Sequence, residues 1–278
     1  MTLQPFATLA VAVALAGGCV SKSSPQKSPD PVPDLQPLRP AWTFTEGAPV
    51  RGDTSKKQIA LIFTGGDFGE GTGHILDTLA SHKIKASFFV TGDFLRKPDL
   101  QPFLPRMVKE GHYLGPHSDH HPLYVPWEDR KKTLVTETDF RGDLEQNIAD
   151  LRGYGALRDA SKQIYFIPPY EWYNQDQVNW SRPMGVLLFN FTPGSGSNRD
   201  WAPEDHKSFA PSTKIKDDIL AYEQKDPHGL NGFLLLLHLG SQRKDKMHFQ
   251  LAPLLDELTR RGYSFVRVDE MLNVKLSR

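Results

Sequence analysis

In GPHSDHHP, His117 and His121 stand four residues apart, a spacing that puts both imidazoles on one face of a helical turn. Two such rings can ligate one divalent cation, with a carboxylate as the usual third protein ligand and positions left for water. His120 would point away from that shared face. A solvated histidine-rich loop is the plain alternative for the same stretch.

LLLLHLG ends an apolar run in His238. A buried strand that ends in an imidazole can present a general acid to a leaving group, although a lone histidine of this kind is as readily a satisfied core residue. In FIPPYEWYN, Pro168 and Pro169 deny two backbone donors, so the next free N–H belongs to Tyr170 and can face a developing oxyanion. A rigid turn that offers an aromatic ring to a sugar explains the same residues. IALIFTGGDFGEG places Asp67 and Glu70 after a further apolar run, in a loop whose glycines at 65, 66, 69 and 71 permit several geometries.

These residues need elements that carry them to one place. Strand-like runs cover 58–64, 84–91, 112–115, 163–167, 186–191, 233–238 and 263–268, and helical patterns cover 72–82, 98–110, 138–153, 172–182, 212–225 and 248–261. Apolar runs separated by helices imply an α/β fold with a parallel sheet buried on both faces, and seven of them suggest a barrel or near-barrel. Functional groups of such barrels collect at the C-terminal strand ends, where each of the motifs above falls.

The chain of 278 residues is 38% hydrophobic, enough for one sizeable core, and carries 33 basic and 33 acidic side chains. A net charge of zero gives no electrostatic reason to expect nucleic acid as a partner. Residues 1–18 read as a signal peptide, too short to anchor stably across a bilayer. Cys19, the single cysteine, follows in LAGGC, which resembles the lipobox of bacterial lipoproteins. That resemblance implies an exported protein held in the bacterial envelope (periplasm or outer membrane) by its N-terminal lipid, its only membrane contact. The organisation is then a signal peptide (1–18), a lipidated cysteine with a Pro/Ser-rich tether (19–45) and a catalytic domain (46–278).

Taken in chain order, the motifs resemble those of the polysaccharide deacetylases, carbohydrate esterase family 4 or the NodB homology domain, from about residue 58 to 272. HSDHH fits the family's His-Ser/Thr-x-x-His metal motif, FIPPY stands where the family has Arg-Pro-Pro-Tyr, NRDW resembles its Asp-Trp motif, and LLLLHLG resembles its final His motif. The resemblance implies a distorted (β/α)7 barrel and metal-dependent removal of N- or O-acetyl groups from a polysaccharide or oligosaccharide. It makes His117 and His121 metal ligands, His238 the general acid, Tyr170 the backbone oxyanion contact, Asp200 the residue that orients His238, and Trp201 part of the pocket. Zinc is the default ion, with cobalt, nickel and manganese as alternatives.

The family's opening Thr-Phe-Asp-Asp-Gly supplies a base and a metal ligand, but IFTGGDF has Thr64 and Gly65 there, which resembles a variant subgroup. Asp67 is assigned to the metal, because two histidines need an anionic third ligand, and Glu70 is the candidate base with Asp119 behind it. Ile167 replaces the family's Arg, and Leu239 replaces the Asp that often follows the last His. Trp172, Tyr173, Trp180 and Trp201 are candidates for a sugar-facing surface. Two other readings stay open: a carbohydrate-binding barrel that lost its base, and a hydrolase of another C–N or ester bond.

Overall fold

The computed structural model describes residues 32–37, 39–159 and 162–273. The signal peptide and Cys19 lie outside the described residues. The chain forms a hairpin of β1 (Thr43–Thr45) and β2 (Ala48–Arg51), followed by β3 (Gln58–Gly65), α1 (Thr72–Ser81), β4 (Ser87–Val90), α2 (Gly92–Leu95), α3 (Phe103–Lys109) and β5 (Tyr113–Pro116). Then come α4 (Glu137–Gly153), β6 (Ile164–Phe166), α5 (Gln175–Ser181), β7 (Val186–Leu188), α6 (Ser212–Lys225), β8 (Phe233–His238), α7 (Leu251–Arg260), β9 (Ser264–Val266) and α8 (Val268–Met271).

The seven expected runs become β3 to β9, all in parallel ladders. One sheet runs β5-β4-β3-β8 with β9 paired to the start of β3, and β6 pairs only with β7. This is a distorted (β/α)7 barrel. The distortion has local causes. Between β5 and β6, the Tyr113 hydroxyl accepts the Tyr165 N–H at 2.8 Å where a ladder bond would otherwise form. Beyond Phe189, whose N–H still donates to Phe166 O, the backbone leaves β6: Asn190 N–H donates to Pro49 O and Thr192 N–H to Leu234 O, which draws β2 and β8 together and shortens the expected run 186–191.

β3 explains why its sequence is apolar throughout. Ile59, Leu61 and Phe63 face an outer core shared with Leu76 and Leu79 of α1 and Leu254, Leu255 and Leu258 of α7. Ala60 and Ile62 face the barrel interior with Phe89, Phe189 and Leu236. Successive strand residues point to opposite faces, so both must be apolar when both are covered.

Helix boundaries follow capping chemistry. α5 begins at 175 rather than 172 because the Asn174 side chain accepts the Asp176 N–H at 2.9 Å while Gln177 Oε1 accepts the Asn174 N–H at 2.9 Å. α3 starts only at Phe103, after the turn that Pro98 and Pro102 enforce. The four-residue α2, unanticipated, is capped by Thr91, whose Oγ1 accepts from Phe94 N at 3.0 Å. The packed body also reaches back into the segment assigned to the tether: Val32 and Leu35 are buried against Tyr165, Val268 and Leu272, and Val32 N–H donates to Arg182 O at 2.9 Å. Each such apolar burial is worth about 1.5–3 kcal/mol, enough to hold a segment that is otherwise polar.

Candidate active site

The C-terminal ends of β3, β5, β6 and β8 surround one cavity of about 980 Å³. Its firmest feature is His238, the last residue of β8. Asp200, on a short turn at Ser197–Trp201, accepts from Nδ1 at 2.6 Å with one oxygen and from the His238 backbone N–H at 2.8 Å with the other. A carboxylate on Nδ1 leaves Nε2 for the cavity. Burial disfavours the charged ring, but Asp200 and the carboxylate of Glu171 more than offset it, so the imidazole titrates above its ordinary value of 6.5. Arg243, whose side chain is 0% exposed, donates to the carbonyls of Arg199, Ala202, Ala210 and Asp245 and thereby ties the Asp200 turn to the loop after β8.

His117 and His121 meet ring to ring with centroids 4.9 Å apart. They do so without the expected helical turn. His117 directly follows β5, and the chain then turns through left-handed conformations at Ser118 (φ 69°) and His121 (φ 53°). Ile167 O accepts from His117 Nδ1 at 2.8 Å, which fixes the tautomer and leaves Nε2 as a lone-pair donor. Burial pushes His117 well below its ordinary pKa and His121 to about 4, so both rings are neutral near pH 7. His120 turns to the rim, 3.0 Å from Asp119.

The loop after β3 departs from expectation. Asp67 lines the cavity, but its side chain is 85% exposed, and its carboxylate lies 3.8 Å from Lys97 Nζ. Glu70, expected as the base, is engaged elsewhere. Its carboxylate accepts from Ser241 N–H at 3.0 Å and pairs with Lys246 at 2.5 Å, away from the cavity wall, because the glycine-rich loop folds back onto residues 240–246. Asp119 is equally committed: buried, it pairs with Arg96 at 2.8 Å and also lies off the wall. At Gly65, an added Cβ would meet Leu239 Cδ1 and Phe94 Cε2 at 2.8 Å, so the strand end has no room for a side chain. Thr64 is buried beside it, in register with His238, and its hydroxyl finds no partner among the described residues.

Tyr170 and Glu171 both adopt left-handed backbone (φ 58° and 52°) after the two prolines. No acceptor for the Tyr170 N–H occurs among the described residues. Its ring covers His121, with centroids 4.4 Å apart. Sequence reasoning missed Glu171, a cavity carboxylate beside His238; its place in PPYE, directly after the proposed oxyanion contact, was the available signal. Of the aromatic candidates, Trp201 lines the cavity, Trp172 stacks behind Trp127, and Tyr173 and Trp180 pack into the core around Phe140. Trp127, 56% exposed on the rim, follows the apolar PLYVP run and precedes charged residues, with no strand or helix pattern to mark it in sequence.

Strand-end imidazoles gathered around one mouth of a distorted (β/α)7 barrel define the carbohydrate-esterase class of fold. Residues 51–188 match the polysaccharide deacetylase family, and the chain belongs to it. An uncharacterized 30.6 kDa protein of Geobacillus stearothermophilus is 32% identical over 237 residues, covering 83% of this chain and 76% of that protein. The peptidoglycan-N-acetylmuramic acid deacetylase PdaA of Bacillus subtilis is 27% identical over 223 residues, covering 80% of this chain and 73% of PdaA. The solved structure of PdaA superposes with a TM-score of 0.64 at 23% identity, over 81% of this chain and 85% of that one. Wild-type BA3943 of Bacillus anthracis, described as a pseudoenzyme of carbohydrate esterase family 4, superposes with a TM-score of 0.63 at 18% identity, over 82% of this chain and 70% of that one. Likenesses at these identities speak for the fold.

Members of the family are metal-dependent in general. The donor chemistry here fits a divalent cation: two neutral imidazoles, one with a fixed tautomer, facing one cavity. These two rings are the donors that would hold it. No group of three His, Cys, Asp or Glu side chains is assembled to hold an ion among the described residues.

Proposed function

We propose that the protein hydrolyses acetyl groups from N-acetylated sugars of a polysaccharide, with peptidoglycan the substrate class that relatives such as PdaA support. The observation that carries this reading is the His238–Asp200 pair on the same cavity as His117 and His121. His238 Nε2 holds a proton for the leaving nitrogen, Asp200 keeps the ring oriented and charged, and the Tyr170 N–H is the free donor for an oxyanion. His117 and His121 would hold a divalent cation, zinc by default, with Asp67 as third ligand once its glycine-flanked loop turns inward. When bound, that ion supplies polarisation of the acyl carbonyl. An N-terminal lipid would keep the enzyme at the envelope, near such a substrate.

The test is acetate release from peptidoglycan and from acetylated chito-oligosaccharides, together with metal content of wild type and Asp67→Ala. Turnover with about one ion per chain, lost in the variant, supports the reading and the Asp67 assignment; equal metal in both removes Asp67 from the site. A second reading, a carbohydrate-binding barrel without turnover, is favoured by Thr64 and Gly65 at the family's aspartate positions. Saturable glycan binding with no acetate released would support it.

A further inference from the structure

We propose that Glu171 is the carboxylate that activates the attacking water, taking the place of the base that the loop after β3 does not carry; this rests on the deacetylase reading above. Every other carboxylate near the site has a partner in the structure, and Asp67, the most exposed of them, is the one the reading above gives to the metal. Asp200 holds His238, Asp93 and Asp119 pair with Arg96, Glu70 pairs with Lys246, and Asp67 faces Lys97. The Glu171 side chain makes no hydrogen bond or ion pair among the described residues, yet it lines the cavity.

Its backbone is built for the position. The Pro168–Pro169 turn delivers Tyr170 and Glu171 in consecutive left-handed conformations, each costing a side-chain-bearing residue roughly 1–2 kcal/mol. Asn190 Nδ2 donates to Glu171 O at 2.7 Å and holds the turn in place. Strain retained at two adjacent residues, beside a cavity, is characteristic of a functional site. Two charged groups act on the carboxylate across the cavity, His238 from β8 and Asp200 behind it, and burial raises it to about 7, in the range suited to a base near neutral pH. His238 influences Glu171 without an ion pair between them, which leaves space for a reacting group.

The step balances as follows. Glu171 takes a proton from water as the water oxygen bonds to the acetyl carbonyl carbon. The tetrahedral adduct collapses with cleavage of the C–N bond, and His238 Nε2 gives its proton to the departing nitrogen. Acetic acid and the free amine result, and solvent returns Glu171 and His238 to their starting protonation.

The experiment compares wild type, Glu171→Gln, Glu171→Asp and His238→Ala as full chains supplied with zinc. Acetate release from fully N-acetylated chitotetraose and from peptidoglycan is followed across about pH 5 to 9, with metal content and thermal midpoint measured alongside. The expected result is a kcat loss on the order of 10²–10⁴-fold in Glu171→Gln, with KM within about threefold and metal content unchanged. Partial activity should remain in Glu171→Asp. In wild type kcat/KM should rise as pH increases through about 7, where the carboxylate loses its proton, and that limb should vanish in Glu171→Gln. Glu171→Gln retaining wild-type kcat while His238→Ala is inactive overturns the assignment and leaves the deacetylase reading standing. A wild type that releases no acetate from either substrate overturns both.

Discussion

His238 and Asp200 are joined twice, through Nδ1 at 2.6 Å and through the backbone N–H at 2.8 Å, so one carboxylate holds the orientation of the ring and is the main source of its raised charge. Removing the charge separates the two effects. Asp200→Asn keeps an acceptor but loses the attraction that raises His238, so the ring sheds its proton at lower pH. We expect kcat to fall on the order of 10²-fold and the alkaline limb of the rate profile to move to lower pH. The stability contribution of the pair, complete below the ordinary value of 6.5 and lost as pH rises through the raised folded value, should disappear as well. A kcat loss with an unmoved alkaline limb would contradict this account of His238.

Glu70→Gln should behave as a structural change. Burial raises this carboxylate, and the bonds from Lys246 and Ser241 more than offset it, so the group sits below its ordinary 4.5. Its stabilising effect is present above that pH and fades as pH falls through the folded value. We expect a loss of about 1 kcal/mol in urea unfolding near pH 7, discounted for solvent screening, with turnover close to wild type. Abolished turnover at unchanged stability would return Glu70 to the chemistry.

Restoring the family's aspartate at position 65 should fail. Gly65→Asp forces a Cβ against the buried Leu239 and Phe94, and crowding of this kind costs about 1–3 kcal/mol. The expected outcome is a lower denaturation midpoint with no gain in metal content. Tighter metal binding in this variant would mean that the strand end yields more easily than its packing implies.

His112 supplies a prediction about acid stability. It is buried, its Nδ1 accepts from Ala86 N–H at 3.1 Å, and burial together with Lys85 pushes its pKa down to about 4. The unfolded chain binds a proton below about 6.5 that the folded chain refuses, so stability falls as pH drops from about 6.5 towards 4. His112→Asn keeps an acceptor without the titration. The slope of unfolding free energy against pH in that window should flatten, by calorimetry or urea titration.

Much of the barrel was legible because burial on both faces leaves a plain mark. Ile59 to Phe63 and Phe233 to Leu237 are apolar without a break, and each becomes a strand within a residue or two of expectation. α6 falls on 212–225 as read, with Ile215 and Ile219 buried one turn apart. The ends were less legible where a cap decides them, as at Thr91 and Asn174.

For the site, sequence by itself determined the residue types that matter: an imidazole at the end of β8, two more after β5, and a proline-fixed turn after β6. It could not determine which carboxylates are free. Glu70 and Asp119 sit near the motifs in sequence but are drawn into ion pairs by Lys246 and Arg96, residues 176 positions later and 23 positions earlier. Glu171, one residue beyond the turn, is left facing the cavity. Only tertiary structure decided this, because whether a carboxylate serves chemistry or cohesion depends on which cation reaches it first in space.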